Sequence, residues 1–255
     1  MVKLKESVIM FFFIMDRSKI KKISFACAAV LLIGIFCGYA YKKSIDRNIR
    51  TNAQADAGNV ETVVIDPGHG GMDSGAVGVS GSLEKDINLD VAIKLDSLMG
   101  LFGIKTVMTR EKDISLDYED GRTIRDNKMA DLNARVDIVK QTANPVLISI
   151  HTNNFTEEKY SGAQTFYAPT EKSDKIAEMI QETLVEGLDK SNNRKAKAAP
   201  DKIYIIKKAD FPAVIVECGF VSNAREEALL KDARYRTRIA VSVLSGYLEY
   251  KNSFE

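Results

Sequence analysis

Histidine is scarce in this chain: two in 255 residues, against 36 lysines and arginines and 35 aspartates and glutamates. Cysteine is scarcer than its count of three suggests. Cys27 and Cys37 lie in one apolar stretch, so Cys218 stands alone in the rest of the chain and no intrachain disulfide framework can form there. A core built from about 200 residues does not need one. An excess of positive charge is also missing. Residues 1–50 carry a net +7, which leaves −6 for residues 51–255 of a chain whose total is +1. That mildly acidic balance lacks the basic footprint of a nucleic-acid binder, so no nucleic-acid partner is expected. Neither internal repeats nor low-complexity tracts occur.

Long hydrophobic runs are almost absent, with one exception. Ile23 to Tyr41 is uncharged over 19 residues, and at about 1.5 Å per residue it nearly crosses a hydrocarbon core of roughly 30 Å. It exceeds a signal-peptide apolar region of about 7–15 residues, although Gly38-Tyr39-Ala40 offers small residues for cleavage, which leaves a secreted form as the alternative. The expected organisation is a basic cytoplasmic tail over 1–22, a signal or transmembrane anchor over 23–41, a small polar linker over 42–60 and one globular domain over 61–252.

Within that domain, short β-branched runs alternate with helical spacings, the pattern of an α/β fold. The spacing predicts strands at Val63–Ile65, Ile104–Thr109, Val146–Ile150, Gly162–Tyr167, Ile203–Ile206 and Val214–Val216. Helices are expected through Ile87, Val91, Leu95, Leu98 and Phe102; through Leu132, Val136 and Val139; and from an N-cap at Ser173 through Ile176, Ile180, Leu184 and Leu188. A last helix should bury Ile239, Val243 and Tyr247. Arg110–Asn127 and Ser191–Asp201 read as loops. The first strand–helix–strand unit implies parallel strands joined by a right-handed crossover.

The two histidines share a setting. His69 follows Val63-Val64-Ile65-Asp66-Pro67-Gly68 and precedes Gly70-Gly71; His151 ends Val146-Leu147-Ile148-Ser149-Ile150. In open α/β sheets, chemistry sits just past the carboxyl ends of strands. Two strands delivering their only imidazoles at the same kind of terminus predict a shared site, and a metal is the natural occupant. A catalytic zinc site takes three protein ligands and keeps a fourth position open, so a carboxylate should join them. Glu84 opens the first helix, where position alone leaves it either a ligand or an ordinary helix-start acid. Glu217 closes the apolar run Ala213–Val216, and a carboxylate there is costly unless paired, metal-bound or functional. Pairing with a buried arginine is its other reading. Cys218, one residue on along the strand, should face away from that site.

Taken together, Asp66-Pro67-Gly68-His69-Gly70-Gly71, Glu84, Ser149-Ile150-His151-Thr152-Asn153 and Val216-Glu217-Cys218-Gly219-Phe220-Val221-Ser222-Asn223 resemble the zinc-dependent N-acetylmuramoyl-L-alanine amidases of bacterial cell walls. The resemblance covers residues 61–250. It implies a mixed, mostly parallel β-sheet flanked by helices, a Zn2+ cofactor held by His69, Glu84 and His151, and Glu217 as catalytic acid/base. Arg110, Leu116 and Arg135 match positions that frame the sheet and groove, and Asn153, Asn193 and Arg194 are expected to contact substrate. The implied reaction cleaves the amide between the lactyl group of muramic acid and L-alanine of the peptidoglycan stem peptide, which places the domain outside the membrane. Cell-wall-binding repeats and a long inhibitory insertion between His151 and Glu217 are absent, so the chain is most similar to membrane-anchored spore-cortex amidases of endospore formers, with any regulatory protein partner unidentified. A peptidoglycan endopeptidase on the same zinc site, or a non-catalytic wall-binding scaffold, are the alternatives. The Asp117–Met129 loop is longer than a minimal member requires.

Overall fold

The computed structural model describes residues 60–155, 157 and 159–253. The proposed tail, anchor and nearly all of the linker lie outside them; among the described residues no helix is long and apolar enough to cross a membrane. Six strands form one sheet in the order β2-β1-β3-β6-β4-β5. They are β1 (Thr62–Pro67), β2 (Thr106–Met108), β3 (Pro145–Asn153), β4 (Gln164–Tyr167), β5 (Lys197–Ala198) and β6 (Ala213–Phe220). β1, β2, β3 and β6 are mutually parallel, and β4 runs antiparallel to β6, so the sheet is mixed and mostly parallel as expected.

Both faces are covered, which is why β1, β3 and β6 read as continuous apolar runs. On one face Val63, Ile65, Val146, Ile148, Ile150, Val214 and Val216 meet α1 (Glu84–Leu101), α3 (Ser173–Leu188) and α6 (Ala233–Asn252). On the other, Val64, Leu147 and Ile215 meet α2 (Ile124–Gln141) and the one-turn helix α4 (Tyr204–Lys207). Because side chains alternate, the second face also carries Asp66, Ser149, His151 and Glu217 on the same strands. That alternation carries the polar residues to the carboxyl ends of β1, β3 and β6.

Five local expectations are corrected. Ile203–Ile206 is not a strand: Lys207 N–H bonds to the Ile203 carbonyl and Lys208 N–H to that of Tyr204, closing α4. A four-residue apolar run cannot distinguish the two states, and the place beside β4 is taken by Lys197–Ala198, inside the stretch expected to be loop. Ser173 is not the N-cap of α3. Lys172 holds that position in the left-handed region (φ 69°), while Ser173 Oγ accepts the Ala213 N–H at 2.9 Å and ties α3 to the start of β6. Phe102 lies beyond the end of α1 and is 61% exposed, with Met99 filling the buried position. α2 begins inside the expected 110–127 loop because Thr123 Oγ1 accepts the Asp126 N–H and caps it. The terminal helix is preceded by α5 (Ala224–Lys231), and the two part at Asp232, whose carboxylate caps α6.

Candidate metal centre

His69 leaves the end of β1 in the left-handed region (φ 62°), uncommon for a residue with a Cβ. Two buried arginines hold the turn. Arg135 donates to the carbonyls of Pro67 (2.8 Å) and His69 (2.6 Å), and Arg110 to those of Pro67 and Gly68 (both 3.0 Å). Both positions were expected to frame the sheet. His151 comes from the end of β3, and a Cβ on Gly68 would stand 2.1 Å from its ring, so that position admits only glycine. The two rings meet edge-on with centroids 5.1 Å apart.

Glu84 reaches between them from the first turn of α1. Its Oε1 lies 3.3 Å from His69 Nε2 and 3.0 Å from His151 Nδ1, and donor atoms of the three residues fall within 4.8 Å of one another. The carboxylate is buried and oriented by N–H groups of Thr152 (3.1 Å, to Oε1) and Ala76 (2.8 Å, to Oε2). Burial alone would raise its pKa; the two imidazoles more than reverse this and hold it well below the usual carboxylate range. Burial likewise pushes His69 down, but the bonds to Asp73 and Glu84 lift it to about 9.

Glu217 stands opposite His151 in the β3–β6 register. It is the only one of these acids pushed up, to about 7: burial dominates and Glu84 adds repulsion, while His151 and His69 oppose both. Its Oε2 is buried with no hydrogen-bond partner among the described residues. Among the described residues no arginine pairs with it, which speaks against the structural alternative. Cys218 does face the other way, into the core beside Val214 and Val216, and burial pushes its thiol up.

The expected substrate contacts are more scattered. Asn153 closes β3 beside a register shift, and Asn193 is exposed. Arg194 is engaged within the protein: it donates to the Ser161 carbonyl and to Gln164 Oε1 (both 2.7 Å) and lies over the Phe220 ring at 4.7 Å. Since Gln164 pairs with Glu217 across β4–β6, Arg194 buttresses the strand that presents the acid.

Sequence reasoning missed two carboxylates. Asp73 Oδ2 lies 2.8 Å from His69 Nδ1 and orients that ring, the usual role of a carboxylate behind a metal-ligating histidine. Its i+4 spacing from His69 was the available signal. Glu227, on α5, accepts the N–H and hydroxyl of both Ser80 and Ser82 and so anchors the glycine-rich loop that leads into Glu84. Nothing local marks it, because 147 residues separate it from Ser80.

Two nitrogens and an oxygen thus converge where they could hold a metal ion, and beside them stands a carboxylate whose buried Oε2 has no hydrogen-bond partner among the described residues. The sequence profile of the Amidase_3 family, N-acetylmuramoyl-L-alanine amidase, matches residues 63–248. The germination-specific N-acetylmuramoyl-L-alanine amidase of Bacillus subtilis is 34% identical over 235 residues, 92% of this chain and 96% of that protein. Among solved structures, the CwlD amidase of Clostridioides difficile, in complex with the GerS lipoprotein, is 39% identical with a TM-score of 0.72, over 75% of this chain and 98% of that one. The catalytic domain of CwlV from Bacillus (Paenibacillus) polymyxa is 30% identical with a TM-score of 0.65, over 76% and 99% of the two chains. The profile match runs from β1 into α6 and so takes in the whole sheet, and on that ground the chain belongs to the Amidase_3 family of N-acetylmuramoyl-L-alanine amidases.

Proposed function

We propose that this N-acetylmuramoyl-L-alanine amidase hydrolyses the muramoyl–L-alanine amide of peptidoglycan with zinc held by His69, Glu84 and His151 and with Glu217 as proton carrier. The observation that carries this reading is the convergence of the three donor residues beside a carboxylate whose buried Oε2 has no partner. The residues fit the metal: two imidazoles and one carboxylate are a known catalytic zinc set, and Asp73 and the backbone N–H groups already orient them. When bound at such a set, zinc supplies a Lewis acid and lowers the pKa of water to about 7.

The chain's own groups do the rest. Glu217 takes the proton of the attacking water and returns it to the departing L-alanine amine. Its burial keeps that carboxylate poised near neutrality, able to hold or release a proton. Asp73 keeps His69 turned toward Glu84, and the Arg110–Arg135 clamp holds the turn on which His69 sits.

Defined muropeptides are expected to yield a peptide with a free L-alanine amine, and a chelator should abolish the reaction. Cleavage between stem-peptide residues would support an endopeptidase, and no cleavage a scaffold. The same assay tests Asn153, Asn193 and Arg194 as substrate contacts. Arg194→Ala is expected to raise KM and, because its guanidinium is engaged internally, to lower Tm as well; unchanged KM removes it from substrate binding.

The reading extends to germination-linked remodelling of the spore wall, outside the cytoplasmic membrane and anchored through 23–41. Its support is the germination-specific relative, together with the uncharged stretch in the sequence. Protease added to intact protoplasts should remove the domain; full protection would overturn that placement. The lipoprotein in the CwlD structure supports a protein partner here too, to be sought by co-purification of the full chain.

A further inference from the structure

A pocket of about 210 Å³ adjoins the metal centre on the side of α2, and Asp73, which bonds His69, forms part of its wall. The unusually long segment between β2 and α2 supplies much of the rest. Three large apolar side chains line it while facing solvent: Met72 (68% exposed), Tyr118 (44%) and Ile124 (80%). Exposed apolar groups gathered around one concavity are the mark of a binding site, whereas scattered ones need no explanation.

The walls are held in place. Asn127 accepts the Glu119 N–H and donates to the Glu119 carbonyl, and Asp131, itself bound to Arg135, accepts the Leu116 N–H at 2.7 Å. Of the two cations lining the pocket, Arg122 is paired with Glu119 at 2.6 Å. Lys128 is half-exposed, and its Nζ lies 3.1 Å from Asp73 Oδ2. Its ammonium has three donors, so it can keep Asp73 and still meet an incoming carboxylate.

We propose that this pocket is the stem-peptide subsite. A methyl-bearing residue would sit against Met72, Tyr118 and Ile124, and a free peptide carboxylate would meet Lys128. The volume falls below the roughly 300–1,000 Å³ of pockets that enclose a whole ligand, as suits one part of a larger substrate whose scissile bond lies at the metal. This assignment rests on the amidase reading of the neighbouring centre, and it gives the Asp117–Met129 loop the task of measuring peptide rather than glycan.

The test compares two substrates of the full-length zinc-loaded protein, N-acetylmuramoyl-L-alanine and an N-acetylmuramoyl-tripeptide with free carboxylates. For Lys128→Ala the KM ratio, tripeptide over single residue, is expected to rise roughly tenfold, the usual worth of one charge-assisted contact. Ile124→Ser, at a site too exposed to threaten the fold, should raise KM for both substrates alike, because the alanine methyl is common to them. Zinc content is measured in both, since Lys128 also touches Asp73. An unchanged ratio in Lys128→Ala together with unchanged KM values in Ile124→Ser, with the parent cleaving both substrates, overturns the subsite. A KM change that follows glycan length instead makes the pocket a sugar site and likewise overturns it. Calorimetry of the free tripeptide with Glu217→Gln separates the two readings. If the tripeptide binds there, and Lys128→Ala weakens that binding, while the parent cleaves neither substrate, the subsite stands and the amidase reading fails.

Discussion

Glu217→Gln is expected to keep its zinc and its fold while the rate of amide hydrolysis falls by roughly 10²–10⁴, the usual worth of a positioned general acid/base. Gln has nearly the same shape but cannot take a proton from water. Its side-chain amide also relieves the cost of a buried carboxylate whose Oε2 has no partner, so the fold is not at risk. Glu84→Gln should behave differently. Glu84 faces both imidazoles and receives two backbone N–H groups. The Gln amide can satisfy only part of that set, so zinc affinity should drop along with activity, as in His69→Ala and His151→Ala. Metal content and rate measured on the same preparations decide the assignment. A zinc-free Glu217→Gln beside a zinc-replete Glu84→Gln would reverse the two roles, and full activity in either would remove that residue from the mechanism.

Arg135→Met should be the most damaging substitution away from the metal. Arg135 and Asp66 are each 2% exposed and joined at 2.6 Å. Removing the guanidinium leaves Asp66 buried with only the hydroxyls of Thr109 and Ser149. Breaking such a pair typically costs about 3–5 kcal/mol, set against roughly 5–15 kcal/mol for a whole domain. The turn carrying His69 would be loosened as well, so zinc affinity should fall in whatever fraction remains folded. Asp66→Asn combined with Arg135→Met should recover part of the loss in a denaturant titration, because Asp66 then carries no uncompensated charge; the rest of the loss stays, since Asp131 still lacks its ion pair. A single variant as stable as the parent would show that the pair contributes nothing.

The same pair sets an acid limb. Burial works to raise Asp66, but Arg135 and the two hydroxyls hold it at about 2. A carboxylate depressed in the folded state stabilises above its unfolded pKa of about 4. The contribution, about 2 kcal/mol by the linkage relation, is therefore expected to fade between about pH 4 and pH 2, and to be missing from Asp66→Asn.

Much of this was legible along the chain because it rests on local order. The apolar runs ending in His69 and His151, the acid closing β6 and the helical spacing of α1, α3 and α6 follow from side-chain periodicity, which neighbouring residues alone determine. The α/β class and the two histidines at strand ends came from that source, whereas the mixed sheet was implied by the family resemblance. Tertiary structure decided the rest, wherever the deciding partner lies far off in sequence. Ile203–Ile206 turned into a helix because β5 holds the place beside β4. Ser173 gave up its cap to bond Ala213. Position alone left Glu84 ambiguous and only the resemblance implied a ligand; the fold sets it, from a helix, between imidazoles from two strands. Asp66 and Arg135 stand 69 residues apart and Glu227 and Ser80 147 apart; no window of sequence contains both members of either pair, and only chain packing decides which buried charges will meet.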